Sequence, residues 1–135
     1  MEGGIEIEVR DYQYNCFLIC WPLGDAYFML SQFDSAINDY TKTLEINPND
    51  AVALNNRAAS FHDRKKYSEA LIDYNRALQL HPSYSNCLFN RGQLHFKLGL
   101  YNEAITDFTK SYEISGRRLS AILFRGLAYC KVKNS

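Results

Sequence analysis

The stretch from Ala51 to Tyr84 recurs along the chain in one unbroken register, and that period constrains the fold more than any single motif does. With Ala51 as position 1, position 8 is small in each copy: Gly24, Ala58, Gly92 and Gly126. Position 11 carries a ring (Tyr27, Phe61, His95, Tyr129), as does position 17 (Phe33, Tyr67, Tyr101). Position 20 is alanine (Ala36, Ala70, Ala104), position 24 is Tyr40, Tyr74 or Phe108, and position 27 is Thr43, Ala77 or Ser111. Proline or glycine stands at position 32 (Pro48, Pro82, Gly116), and no insertion or deletion disturbs the register.

Small residues at positions 8, 20 and 27 let two helix backbones approach, and the rings at 11, 17 and 24 fill the space between them. Proline or glycine at 32 stops the second helix. Asp34, Ser68 and Asn102, all at position 18, are suitable N-caps for that helix. Each unit therefore reads as two antiparallel helices of about 14 residues, roughly 21 Å long.

This pattern resembles the tetratricopeptide repeat (TPR) family over residues 17–135. The resemblance implies an all-α fold, a right-handed α-solenoid of antiparallel helix pairs (a TPR superhelix) with about seven helices. Repeats one, two and three are expected at 17–50, 51–84 and 85–118, and the first helix of a truncated fourth at 119–135. Repeat one is irregular, because Pro22 falls at position 6, where a helix interior would lose about 3 kcal/mol; a start near Trp21–Pro22 relieves this. Residues 1–15 fit no repeat position and are expected to form an extended or disordered tail. The fourth-repeat helix is apolar on most sides (Leu119, Ile122, Leu123, Phe124, Leu127, Tyr129). Either the chain is a fragment or isoform of a longer array, or this helix docks on something, with self-association one candidate.

Basic and acidic side chains balance at 15 each, which gives no electrostatic footprint for nucleic acid. The ends differ: residues 1–11 are acidic (Glu2, Glu6, Glu8, Asp11), and 117–135 carry Arg117, Arg118, Arg125, Lys131 and Lys133 with no acid. Two solvated ends, a head-to-tail contact and a basic docking patch are all compatible with this. The four cysteines (Cys16, Cys20, Cys87, Cys130) lack paired C-x-x-C spacing, so no metal site and no cofactor are expected. Free thiols suit a reducing compartment. The apolar run 16–23 is too short to span a bilayer and follows an acidic segment rather than a basic one. The expectation is a soluble, intracellular, cytoplasmic protein with no membrane partner.

Arginine recurs at position 7 (Arg57, Arg91, Arg125) and aspartate at position 23 (Asp39, Asp73, Asp107), so each aspartate precedes the arginine of the following repeat at a constant spacing. Three structural inter-repeat ion pairs are expected: Asp39–Arg57, Asp73–Arg91 and Asp107–Arg125. The resemblance further implies that positions 2, 5, 6, 9, 12 and 13 of each first helix line a concave, peptide-binding face. Here that gives Val52, Asn55, Asn56, Ala59, His62 and Asp63 in repeat two, and Asn86, Phe89, Asn90, Gln93, Phe96 and Lys97 in repeat three. Trp21, Asp25, Phe28 and Met29 would flank them on one side, and Leu123, Leu127, Cys130 and Lys131 on the other. Amides such as Asn56 and Asn90 both donate to and accept from an extended backbone, and Phe89 and Phe96 offer apolar anchors. The alternative is that the same asparagines bond within the scaffold and that some of the rings belong to the core.

Chaperone-binding members of the family grip a terminal carboxylate with lysine at 5 and asparagine at 9 of one unit. They add asparagine at 6 of the next, then lysine at 2 and a basic residue at 6 of the third. This chain offers Trp21, Asp25, Asn56, Asn86 and Asn90, one match in five; shifting by one repeat gives Asn55, Ala59, Asn90, Ser120 and Phe124, again one. An unpaired buried carboxylate is costly, so that function is disfavoured. No catalytic constellation or phosphate loop occurs, and His95 reads as a core residue. The main expectation is a non-catalytic scaffold or adaptor for a protein or peptide partner. The alternatives are a regulatory or substrate-presenting fragment of a larger enzyme or assembly (for example ciliary), or a truncated isoform without an independent role.

Overall fold

The computed structural model describes residues 23–116 and 119–134, so the expectations for residues 1–15 and for Trp21–Pro22 lie outside the described residues. Contacts divide the chain into two units, Met1–Gln32 and Phe33–Ser135. Of the first, the described stretch is helical. Six helices are described: α1 (Leu23–Ile46), α2 (Ala51–Asp63), α3 (Tyr67–Leu80), α4 (Ser85–Lys97), α5 (Tyr101–Ser115) and α6 (Leu119–Lys133). None is long and apolar enough to cross a membrane.

In the second unit, α2/α3 and α4/α5 are the antiparallel pairs that the period predicts. Their turns share one chemistry. Lys65 and Gly99, both at position 15, adopt the left-handed region (φ 64° and 83°). Lys66 and Leu100 then donate back to the carbonyls of Phe61 and His95, each at 2.8 Å, while Lys65 and Gly99 donate to His62 and Phe96. This double closure satisfies the carbonyls that a helix end leaves orphaned. It also shifts the next helix start: Ala70 and Ala104 already donate to Lys66 and Leu100. The second helices therefore begin at position 17, with Lys66 and Leu100 as caps without a side-chain bond. Ser68 and Asn102 are not N-caps but lie inside the first turn.

Repeat one departs from expectation. Leu23–Ile46 is one uninterrupted helix of 24 residues, with Asp34 in its interior. Its position 15 is Ser31, inside the helix, whereas repeats two and three turn at this position through Lys65 and Gly99. α2 is capped by Asp50, whose Oδ1 accepts the Ala53 N–H at 3.1 Å.

The core follows the register. Ala58, Ala70 and Ala77 in repeat two, and Ala104 and Ser111 in repeat three, are fully buried. The Phe108 ring lies directly on Gly92: a Cβ added there would stand 2.7 Å from Phe108 Cε1. One cluster joins Leu44 of α1 to α2, α3 and α4. A second gathers Phe89, Ala104, Phe108 and Ala121, with Phe96, Tyr112 and Phe124 packed against it.

Candidate functional site

The arginine–aspartate pairs set how each repeat is clamped. Arg57 donates through Nε and Nη2 to Asp73 at 2.6 and 2.9 Å, and Arg91 does the same to Asp107 at 2.9 and 2.7 Å. These pairs run within a repeat, from position 7 to position 23. The expected pairing across repeats, Asp39–Arg57, Asp73–Arg91 and Asp107–Arg125, does not occur. The reason is geometric: Arg57 and Asp73 are equally far along the chain from the turn residue Lys65, so the antiparallel hairpin brings them face to face.

These arginines reach the preceding repeat through a neutral partner of the third guanidinium nitrogen, and the ion pair that does cross between repeats one and two, among the described residues, is Arg64 Nε to Asp34 at 2.9 Å. Nη1 of Arg57, Arg91 and Arg125 donates to Thr41 (3.1 Å), Asn75 (2.8 Å) and Thr109 (3.4 Å), each at position 25 of the preceding repeat. His95 joins the third-repeat pair, its Nδ1 lying 2.9 Å from Asp107 Oδ2. Burial alone would push the Asp107 carboxyl up, but His95 and Arg91 outweigh it and hold it below the ordinary carboxylate range.

The first helices α2, α4 and α6 lie side by side, and their exposed faces form the candidate surface. Two of the expected lining residues turn inward. Asn55 is buried: its Nδ2 reaches the Tyr84 hydroxyl at 3.5 Å, and its Oδ1 accepts from Asn90 Nδ2 at 3.2 Å. Phe89 is also buried, with ring centroids 5.6 Å from Phe108 and 5.9 Å from Phe124, so it builds the core instead of anchoring a ligand. Both occupy position 5, whose side chain the packing of successive first helices encloses.

The rest stay on or near the surface. Asn56 and Gln93 are half-buried, and their side-chain amides have no protein partner among the described residues. Asn86 is exposed, and Asn90 spends one N–H on Asn55. Phe96 is half-buried beside Tyr101 (5.3 Å) and Phe124 (6.2 Å). His62 is half-buried edge-on to Tyr67, and burial together with the charge of Lys97 lowers its pKa, favouring a neutral ring. The exposed apolar groups on this face are Val52, Leu123 and Leu127. Sequence reasoning counted these as lining residues but gave the anchoring role to rings. The Asn90–Asn55–Tyr84 chain is a case of the within-scaffold bonding that the sequence left open for its asparagines, though not with these partners. Burial pushes the Cys87 thiol up to about 12, so it stays protonated and unreactive.

Comparison with known proteins agrees with this geometry. A family model described as "Tetratricopeptide repeat" matches residues 49–117, and another described as "TPR repeat" matches residues 24–63. Comparison with curated proteins finds no match. Among solved structures, the chain is similar to the first TPR of Spaghetti (RPAP3) bound to the HSP90 peptide SRMEEVD, with 29% identity and a TM-score of 0.74 over 82% of this chain and 87% of that one. It is also similar to the second TPR domain of human RPAP3 in complex with the HSP70 peptide SGPTIEEVD (28%, 0.69, 78% and 88%). A third is the Sgt2 TPR domain from Aspergillus fumigatus (25%, 0.72, 82% and 74%).

Proposed function

The chain belongs to the tetratricopeptide repeat family, and from that premise we propose that it is a non-catalytic scaffold whose α2–α4–α6 face binds an extended peptide or a helix. The observation that carries this reading is the pair of amides without a partner among the described residues, Asn56 and Gln93, beside exposed Val52, Leu123 and Leu127. Amides hydrogen-bond a peptide backbone in either direction, and the aliphatic groups give its side chains somewhere to bury. The peptide complexes of the RPAP3 domains support a peptide as the kind of ligand. Asn90 contributes its remaining donor and its carbonyl. Asn55 and Phe89 contribute by holding α2, α4 and α6 in line.

The ligand differs in charge from those chaperone tails. SRMEEVD and SGPTIEEVD end in Glu-Glu-Val-Asp and a free carboxylate, which needs cations at the clamp positions. This chain keeps the clamp's asparagine as Asn56, but has Asn86 and Asn90 at the two positions of repeat three that call for basic residues. A neutral peptide segment fits such a surface better. Fluorescence anisotropy tests both halves. SRMEEVD should bind weakly, and amidating its terminus should change little. A panel of neutral, aliphatic-rich peptides should bind more tightly and lose about tenfold in affinity on Asn56→Ala/Gln93→Ala substitution. Tight SRMEEVD binding abolished by amidation would overturn the proposed selectivity. Peptide binding unaffected by the double substitution would overturn the site.

A further inference from the structure

The molecule carries two halves of one repeat interface, and neither half is closed among the described residues. In repeats two and three, the second helix presents positions 20, 23, 24 and 27 to the first helix of its own repeat, and all are sealed. Ala70, Asp73, Tyr74 and Ala77 are at most 4% exposed, and Ala104, Asp107, Phe108 and Ser111 at most 2%. On α1 the same positions are open: Asp39 and Thr43 are exposed, and Ala36 and Tyr40 are only half-buried. The stripe of α1 facing α2 is a different one. It runs through Asp34, which receives Arg64 Nε at 2.9 Å, through Thr41, which receives Arg57, and through buried Leu44. The Asp39 carboxylate has no cation among the described residues.

α6 offers the complementary half. Its positions 4, 8 and 11 are Ile122, Gly126 and Tyr129, all exposed, where Leu54, Leu88 and Ala58 at positions 4 and 8 are buried. Gly126 has nothing within 4 Å of an added Cβ, whereas its counterpart Gly92 is covered by the Phe108 ring. Arg125 is already held in the orientation of Arg57 and Arg91. Nη1 is on Thr109 and the guanidinium lies 5.7 Å from the Tyr112 ring centroid, but it has no carboxylate among the described residues.

We propose that the Asp39–Tyr40 stripe of α1 in one copy of this chain docks on the Arg125–Gly126 face of α6 in another, completing a repeat between two molecules. The register supplies the complementarity. Asp39 stands to Arg125 as Asp73 stands to Arg57, and Tyr40 stands to Gly126 as Phe108 stands to Gly92. A charge of each sign, unpaired among the described residues, finds its partner, and the exposed Ile122 and Tyr129 are covered in the same step. The contact joins different surfaces of the two copies, so it either closes reciprocally or extends head to tail.

Sedimentation equilibrium of the full 135-residue chain tests this. The average mass of the wild type should rise with concentration. Asp39→Arg alone and Arg125→Asp alone should each weaken association by about tenfold or more, because like charges then meet in the contact. An equimolar mixture of the two variants should associate as the wild type does, since each restores the charge its partner lacks, and an unfolded variant could not be rescued in this way. A wild type monomeric at every concentration overturns the proposal. So does an Asp39→Arg chain that associates normally, as an α6-to-α6 dimer would, or a mixture that stays monomeric.

Discussion

In repeat two, Arg57 lies 5.7 Å from the centroid of the Phe61 ring while holding Asp73, and among the described residues Asp73 receives side-chain hydrogen bonds from that guanidinium alone. In repeat three, position 11 is His95, and Asp107 takes a third bond from its ring. The two repeats have one backbone and one ion pair, but different insulation. Repeat two covers its arginine with a hydrocarbon ring, and repeat three replaces that ring with another polar partner for the acid. The consequence is that Asp107 organises two neighbours and Asp73 one. Removing each acid should therefore have unequal effects.

Asp107→Ala leaves both Arg91 and His95 without their buried partner, and its cost should be the largest of the changes considered, about 3–5 kcal/mol. Asp73→Ala strands only Arg57, which keeps Thr41 and the Phe61 ring, and should cost about 2–3 kcal/mol. Urea unfolding at neutral pH ranks them. Equal costs, or the reverse order, would break the distinction drawn between the repeats.

The next effect compares the covered glycine with the open one. Gly92→Ala drives a Cβ into the Phe108 ring and should cost about 1–3 kcal/mol from overpacking. Gly126→Ala meets nothing in the isolated chain and should stabilise α6 by up to about 1 kcal/mol through helix propensity. Thermal melts of dilute samples separate the two. A destabilising Gly126→Ala would mean that α6 is more enclosed than its exposed Ile122, Leu123 and Tyr129 indicate.

The sequence was most informative where one position has one physical meaning. Alanine at 20, small residues at 8 and 27, and rings at 24 specify close helix contacts, and Ala70, Ala77, Ala104, Tyr74 and Phe108 are buried as that pattern requires. It was ambiguous where the period itself allows two answers. An aspartate at position 23 stands almost midway between two arginines, the one at position 7 of its own repeat and the one at position 7 of the next. Only the hairpin symmetry about Lys65 and Gly99 decides, and it selects the pairing within a repeat. Repeat one carries the period through Phe33, Ala36 and Tyr40 yet forms a single helix, because those residues specify packing and not a turn. The candidate surface was legible as a set of helix positions but not residue by residue. Asn55 and Phe89 share a position with groove-lining residues of the family, and neighbouring helices enclose them here.

The smallest predicted effect is also the most direct test of the opening contrast: His95→Phe gives repeat three the position-11 chemistry of repeat two. Arg91 keeps both of its bonds to Asp107, so at neutral pH the change should cost no more than about 1 kcal/mol. The difference should appear in acid. Burial raises the Asp107 carboxyl, and the His95 bond, followed by those from Arg91, pulls it below its unfolded value. A depressed carboxyl contributes stability that is complete above the unfolded pKa of about 4 and is lost as pH falls through the folded value. In the variant the depression is smaller, so less of the stability at about pH 5 depends on this carboxylate. The gap in urea midpoint between wild type and variant should therefore be wider at about pH 5 than at about pH 2.5, where the carboxyls take up protons. A gap that stays constant across that range would show that His95 acts by filling space, as Phe61 does, and that the two repeats are insulated alike after all.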